Sequence, residues 1–362
     1  MLGGRRFGAS FWTSMVYLQF FGWQWLCVFC SIALGYLAFS VVAYVVQARR
    51  SARQGAAESP AADPLAQHSR ERLRMAGSLA GLIVLFTYAF IVNFVALNAL
   101  SQPDRQRVIW ASDLLMRVDH TIFGSYVPFE AHEQPIFQAL SAPMLFSYLS
   151  LSWVVSLVLV ALCVFHAKRF RQYVLAFSMV MFLALPGWFA LPAVSPSEAY
   201  RLNRLRANIP LDIALETAAP IVHLHPKVVE FLGSIEPFES EPSQGVFAIS
   251  CFPSLHVAWG VIAVWFGCML YSRSLLLLLP WGLLNAVGAV FTLQHYAVDA
   301  LAGMAIAVIA VVLVRSLVVL EPRRGLEAPV GYNVFAFIRQ DAVYLGQSFG
   351  RLIKRPASQT AA

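Results

Sequence analysis

The chain has 362 residues, of which 59% are hydrophobic and 12% charged, with a formal net charge of +7. A soluble domain carries about 25% charged residues, and the apolar residues here fall in runs of roughly 20 or more, each long enough to cross a bilayer. A soluble globular enzyme is excluded, and so is a transmembrane barrel, which would show alternating segments of about ten residues. The positive charge is a guide to topology and does not point to nucleic acid.

Arg5 and Arg6 precede an aromatic-rich stretch, to about residue 20, of the kind that favours a membrane interface. The apolar run then continues to Val46, too long for a signal-peptide core, so a retained first span is expected over 21–46. Residues 51–75 are polar, basic and Ala/Pro-rich and read as an aqueous loop. Residues 1–76 thus form an N-terminal unit. Span two covers 77–100 and stops at Ser101-Gln102-Pro103-Asp104. In 104–141, Trp110, Leu114, Leu115, Val118, Ile122 and Phe123 recur at helical spacing, which predicts an amphipathic helix on the membrane surface. Asp113, Arg117 and Asp119 on it read as a structural ion-pair group. Span three is expected over 142–166. The short basic linker Lys168-Arg169-Phe170-Arg171 follows, then span four to about 193, with Pro186, Gly187 and Pro192 breaking its far end. The polar connection 194–251 is too long for a simple turn. Spans five, six and seven cover 253–272, 275–293 and 296–319, and 321–362 is a polar, basic tail. The expected fold class is all-α: a polytopic membrane helix bundle, with a six-helix core over 77–320 and one additional N-terminal helix.

Most of the 26 Lys and Arg fall in the loop before 77, the linker at 167–172, Arg273 and the tail, so these are assigned to the cytoplasm. The connection 194–251, and with it the starts of spans five and seven, then faces outward. The N-terminus is also placed outside, so the first span either crosses fully or is re-entrant. Cys27 and Cys30 have CxxC spacing but lie within a span, and Cys251 alone is expected to meet water, so no disulfide framework is indicated.

Two helix mouths carry chemistry. His295 and Asp299 are i and i+4, one face of a helix, about 5–6 Å apart at Cβ. A carboxylate so placed fixes one imidazole nitrogen and leaves the other free to attack or take a proton. The alternative is that Asp299 only stabilises a helix start. Pro253 and Ser254 open span five, with Ser254 as the cap. His256 then sits where backbone N–H groups bind anions, or else is an interfacial histidine satisfied by water. Both mouths fall on the outward face. Arg201, Arg204 and Arg206 follow span four and read either as a phosphate clamp or as a basic stripe on lipid headgroups. His223 and His225 lack grouped partners for a metal site. His68, His132 and His166 read as ordinary loop or interfacial residues. Trp188, Phe189, Trp265, Trp281 and Phe291 either line a lipid-chain groove or pack between helices.

FPSLHVAWG at 252–260 followed by HYAVDALAG at 295–303 resembles the second and third signature motifs of the type 2 phosphatidic acid phosphatase superfamily. Within it, the chain is similar to the inositol phosphorylceramide synthase and sphingomyelin synthase branch, the inositol phosphotransferase-like members. The resemblance covers roughly 100–320 and implies a phosphatase-type six-helix core. It implies that His295 is the nucleophile, Asp299 its orienting partner and His256 the general acid and base, with no metal or other cofactor. The phosphatases have Ser-Arg at the places of Gly288 and Ala289, and their first motif is absent. In its place stands Leu191-Pro192-Ala193-Val194-Ser195-Pro196-Ser197, which resembles the proline-rich stretch of the inositol phosphotransferase branch. Ser254 and Arg201, Arg204 and Arg206 are then the expected phosphate contacts.

The resemblance implies transfer of a phosphate-linked head group, phosphoinositol foremost, from a phospholipid to a lipid alcohol such as ceramide or diacylglycerol. The expected location is a bacterial inner membrane, with the site on the periplasmic face. The alternatives are a lipid phosphate phosphatase acting on phosphatidic acid or an isoprenyl diphosphate, and a non-enzymatic transporter or scaffold on the same fold.

Overall fold

The computed structural model describes residues 81–93, 95–96, 105–197, 224–235 and 252–320, together with helical positions 42, 45 and 77. The rest of the expected first span, the loop 51–75, the tail, Cys251, His223 and Arg201, Arg204 and Arg206 lie outside the described residues. Among the described residues the chain is helical and has no strand, so the all-α membrane fold stands.

The long helices are α1 (Gly81–Asn93), α2 (Arg105–Phe123), α3 (Ser141–Leu149), α4 (Leu151–Phe165), α5 (Ala167–Ala190), α6 (Pro226–Ile235), α7 (Leu255–Leu270), α8 (Leu275–Phe291) and α9 (Ala297–Leu320). Short turns of helix at Val127–Glu130, Ala131–Glu133 and Pro135–Ala139 join α2 to α3. The segments Arg169–Ala190 in α5, Ser272–Phe291, which is α8 with the helical turn before it, and Ala297–Leu317 in α9 are long and apolar enough to cross a membrane.

Helix α7 is the axis of the bundle, packing against α4, α5, α8 and α9. Its buried positions are small, Ala258, Gly260, Ala263 and Gly267, with Ile262 and Phe266 between them. Small residues let helix backbones approach closely where hydrocarbon supplies no hydrophobic drive. The core around α7 is completed by Leu151, Val155 and Leu162 of α4 and by Tyr173, Phe177 and Val180 of α5. Two polar side chains inside it tie helices together. Tyr173 donates its hydroxyl to Val155 O at 3.1 Å, and Asn93 ties α1 to α5 through Met181 O at 3.3 Å.

Two expectations change. Span three is not one straight helix: α3 and α4 meet at Ser150 with a bend of 52°. The Ser150 hydroxyl bonds to Ser147 O at 3.2 Å and accepts from Trp281 Nε1 at 2.9 Å, so side-chain hydrogen bonds concentrate at the break. Helix α5 runs on through Pro186 and Gly187 to Ala190, because a proline removes only one helical hydrogen bond and neighbouring helices hold the segment.

The amphipathic segment is α2. Its inner face is Val108, Ala111, Leu115 and Met116, while Trp110, Ile122 and Phe123 point outward. The inner face packs on Ala193, Val194, Leu293 and Tyr296, the segments that follow α5 and α8. Part of the long connection is also structured: α6 buries Phe231 edge-on against Tyr148. Trp188 and Phe291 pack inside the bundle, whereas Phe189 and Trp265 face outward.

Candidate active site

The ends of α5 and α8 and the starts of α7 and α9 converge at one end of the bundle. Ser254 caps α7 by accepting from Val257 N–H at 3.2 Å, and its own N–H donates to Asp299 O at 3.2 Å, which joins the two motif helices. A Cβ at Gly303 would collide with Ser254 O, so this contact requires glycine. Leu293 ends α8 with φ +60°, a left-handed turn that costs a non-glycine residue about 1–2 kcal/mol. Its carbonyl accepts from Ser197 N–H at 2.8 Å, and Gln294 and His295 both donate backbone N–H to Ala289 O, at 3.2 and 3.1 Å. The stretch Leu191–Ser197 is thereby docked against the turn that presents His295.

The three expected side chains come together here. His295 Nδ1 lies 3.5 Å from Asp299 Oδ2; the carboxylate side chain is fully buried and the imidazole is 13% exposed. The same Oδ2 accepts from Tyr296 N–H at 3.2 Å, and Oδ1 has no hydrogen-bond partner among the described residues. A contact of 3.5 Å is long for a hydrogen bond, so the pair has room to tighten when the imidazole becomes charged. His256 is partly buried, stacked on Tyr148 at 4.2 Å and 17°, and close enough to His295 for their charges to interact.

The PAP2 superfamily model matches residues 113–313, from α2 to α9, more than half of the chain and both helix mouths. The chain belongs to the PAP2 superfamily. No curated protein and no solved structure matches it. Membership makes it a membrane enzyme of the lipid phosphatase or phosphotransferase type.

For a PAP2 protein, two departures gain a physical reason. A Cβ at Gly288 would lie 2.6 Å from Met144 O, where α8 presses on the α3 backbone, and Ala289 is fully buried. The Ser-Arg pair of the phosphatases has no room at these places. Ser254 is fully buried, with its hydroxyl engaged as the α7 cap.

Two residues to which sequence reasoning gave no part in this PAP2 site, Asp119 and Asn285, contact its helices, and a third, His132, packs against the end of α8. Asp119, expected in an ion-pair group, instead faces inward and takes Val298 N–H and Ala297 N–H on its two oxygens at 2.7 and 2.8 Å. It is the N-terminal cap of α9. Arg117 pairs with Asp113 at 2.9 Å as expected. Burial, with Asp299 nearby, pushes the Asp119 carboxyl up from 3.8 to about 6 against those two hydrogen bonds. Its signal was spacing: 108, 111, 115 and 119 share one helical face, three apolar residues and one acid. Asn285, within the apolar run of α8, donates its amide to Ser147 O at 3.0 Å and touches His256 Nε2 at 3.1 Å. A polar residue at that depth is a functional signal by itself. His132, expected to be an ordinary loop residue, is buried against Phe291 with ring centroids 4.4 Å apart. Its Nδ1 accepts from His225 N–H at 3.3 Å, and burial beside His225 lowers it to about 4.

Proposed function

We propose that this PAP2 protein moves a phosphate-linked head group from a phospholipid to a lipid alcohol through a phosphohistidine on His295. The observation that carries the reading is the pairing of His295 Nδ1 with the buried Asp299. That pairing leaves Nε2 as the nitrogen that attacks phosphorus. In the first step the N–P bond forms, the P–O bond to the donor lipid breaks, and His256 gives its proton to the leaving oxygen. In the second step His256 takes the proton of the acceptor hydroxyl. The acceptor oxygen bonds to phosphorus, the N–P bond breaks and His295 is restored.

A phosphodiester donor is favoured because Gly288 and Ala289 replace the phosphate-binding Ser-Arg pair, and a diester carries less charge than a monoester. Phosphatidylinositol with ceramide or diacylglycerol as acceptor is the preferred substrate pair, in the inositol phosphotransferase-like branch. The proposed location is a bacterial inner membrane with the three-residue grouping on its outer face, a sidedness that the distribution of Lys and Arg supports. Arg201, Arg204 and Arg206 are proposed to approach the phosphate from the connection after α5.

The test is purified protein with head-group-labelled phospholipid, with and without lipid alcohol. Labelled product lipid that depends on the alcohol, and is lost in His256→Ala, His295→Ala and Asp299→Ala, is the expected result. Release of inorganic phosphate from phosphatidic acid with no head-group exchange overturns the transferase reading in favour of a lipid phosphatase. Full activity of His295→Ala removes the catalytic assignment.

A further inference from the structure

We propose that α6 decides which acceptor takes the head group: Phe231, acting through Tyr148, is a positioning residue that keeps water from the phosphohistidine, so that a lipid alcohol discharges it. The inference rests on the phosphohistidine on His295 proposed above and says what determines its fate.

Two oxygens compete for the intermediate. Attack by a lipid alcohol forms the P–O bond of the new lipid, breaks the N–P bond and restores His295. Attack by water forms a P–O bond to a hydroxyl, breaks the same N–P bond and frees the head group as its phosphate monoester. In both cases the proton of the attacking O–H leaves to the same base. Water is small and fills the outer aqueous space, whereas the alcohol is confined to the bilayer. Transfer therefore needs a barrier on the aqueous side that leaves the bilayer side open.

Helix α6 is placed to be that barrier. It belongs to the connection 194–251, outside the spans, yet one of its faces, Val228, Phe231 and Leu232, is turned to the bundle. Phe231 shares an apolar cluster with Val257, the neighbour of His256, and with Ala300, the neighbour of Asp299. Leu232 also packs on the cluster that holds Tyr296, the neighbour of His295. One short helix thus rests on the residue next to each of the three site side chains. Its start is tied down by the His225 N–H, which donates to His132 Nδ1 at 3.3 Å.

From α6 to the chemistry is a path of two rings. Phe231 meets Tyr148 edge-on, with centroids 5.9 Å apart at 80°, and Tyr148 stacks on His256 at 4.2 Å and 17°. Phe231 is 2% exposed, whereas Val229 on the other face of α6 is 54% exposed. A layer of aromatic side chains therefore lies between the open face of α6 and the His256 ring. Alanine at 231 removes the outer ring of that layer and leaves a cavity beside Tyr148.

The experiment gives purified protein in lipid discs a head-group-labelled phospholipid together with lipid alcohol. It reads the ratio of labelled product lipid to labelled water-soluble head-group phosphate. Wild-type protein is expected to favour product lipid. Phe231→Ala is expected to shift the ratio toward water by about tenfold, about 1.4 kcal/mol between the two competing steps. Phe231→Leu, which keeps a large apolar side chain, is expected to shift it less, and Val229→Ala not at all. A ratio unchanged in Phe231→Ala overturns the inference, as does an equal shift in Val229→Ala, which would mark general loosening of α6. A second measurement needs no variant. Wild-type protein given donor without alcohol is expected to hold label on the protein and to lose it to water at least about tenfold more slowly than alcohol discharges it. Loss to water as fast as to alcohol overturns the inference whether or not Phe231→Ala folds. Absence of any labelled product lipid from wild-type protein would instead remove the transfer reading on which the inference rests.

Discussion

Asp119→Asn separates two roles of one carboxylate. The asparagine keeps the size of the side chain but offers one acceptor oxygen, so either Ala297 N–H or Val298 N–H loses its partner. Leaving a buried donor unpaired costs about 1–3 kcal/mol at any pH. Ionisation acts in addition and depends on pH. The folded-state value is raised from 3.8 to about 6, so the folded protein holds this proton more tightly than the unfolded chain does. The stability this contributes is fully present below pH 3.8 and is lost as pH rises through about 6. Two units at about 1.4 kcal/mol each give a loss of about 3 kcal/mol, which the asparagine cannot suffer. Asp119→Asn is therefore expected to be the less stable protein at about pH 4, with the gap closing or reversing by about pH 8. Thermal unfolding followed by tryptophan fluorescence in detergent, on both proteins across that range, measures the gap directly. A gap independent of pH refutes the reasoning. A gap that widens as pH rises would show a cation paired with Asp119 and a lowered, not raised, carboxyl.

Three further substitutions probe the packing around the site. Gly303→Ala drives a methyl into Ser254 O and is expected to cost about 1–3 kcal/mol as an overpacked core, with head-group transfer falling more than the unfolding midpoint indicates; unchanged transfer would remove the contact from the argument. Gly288→Ser, which restores one residue of the phosphatase pattern, is expected to destabilise α8 against Met144 and to yield no monoester hydrolysis in a phosphate-release assay. His132→Phe keeps an aromatic ring against Phe291 but removes the acceptor of His225 N–H. Because His132 is lowered from 6.5 to about 4, its stability contribution is present above pH 6.5 and lost as pH falls towards 4. His132→Phe is expected to flatten the acid limb of the stability curve while lowering stability near neutrality.

What the sequence disclosed and what it withheld follow from the range of the interactions. Apolar length marks a span without any knowledge of its neighbours, so the helices of α1 to α9 that lie in the bilayer were legible. The i, i+4 relation of His295 and Asp299 is likewise local, and Ser254 as the α7 cap needs only the next three residues. Asp119 differs. It lies on the expected amphipathic helix, but its partners are 178 and 179 positions away, so only its place on the buried face hinted at a role. Asn285 meets Ser147 across 138 positions and His256 across 29, and neither contact follows from spacing. The bend at Ser150 was hidden because Ser147, Ser150 and Ser152 barely interrupt an apolar run. They become a break only where Trp281 supplies a donor.

The cap on α9 also bears on which phosphate the site accepts. A helix N-terminus ordinarily attracts anions through its free N–H groups and the positive end of its dipole. On α9 the first two of those groups are already held by Asp119 at 2.7 and 2.8 Å. The positive end of the helix that bears Asp299 is thus spent on a carboxylate of the protein, and a phosphate at His295 meets it neutralised. Two carboxylates, Asp119 and Asp299, then stand near the proposed nucleophile, both buried. Between like charges in a poorly screened site the repulsion scales with the product of the charges, so a dianionic monoester is opposed about twice as strongly as a monoanionic diester. The buried Gly288 and Ala289 remove a source of compensation, since neither can offer a cation. The proposed preference for a phosphodiester therefore rests on what holds α9 in place as much as on the residues proposed to touch the phosphate.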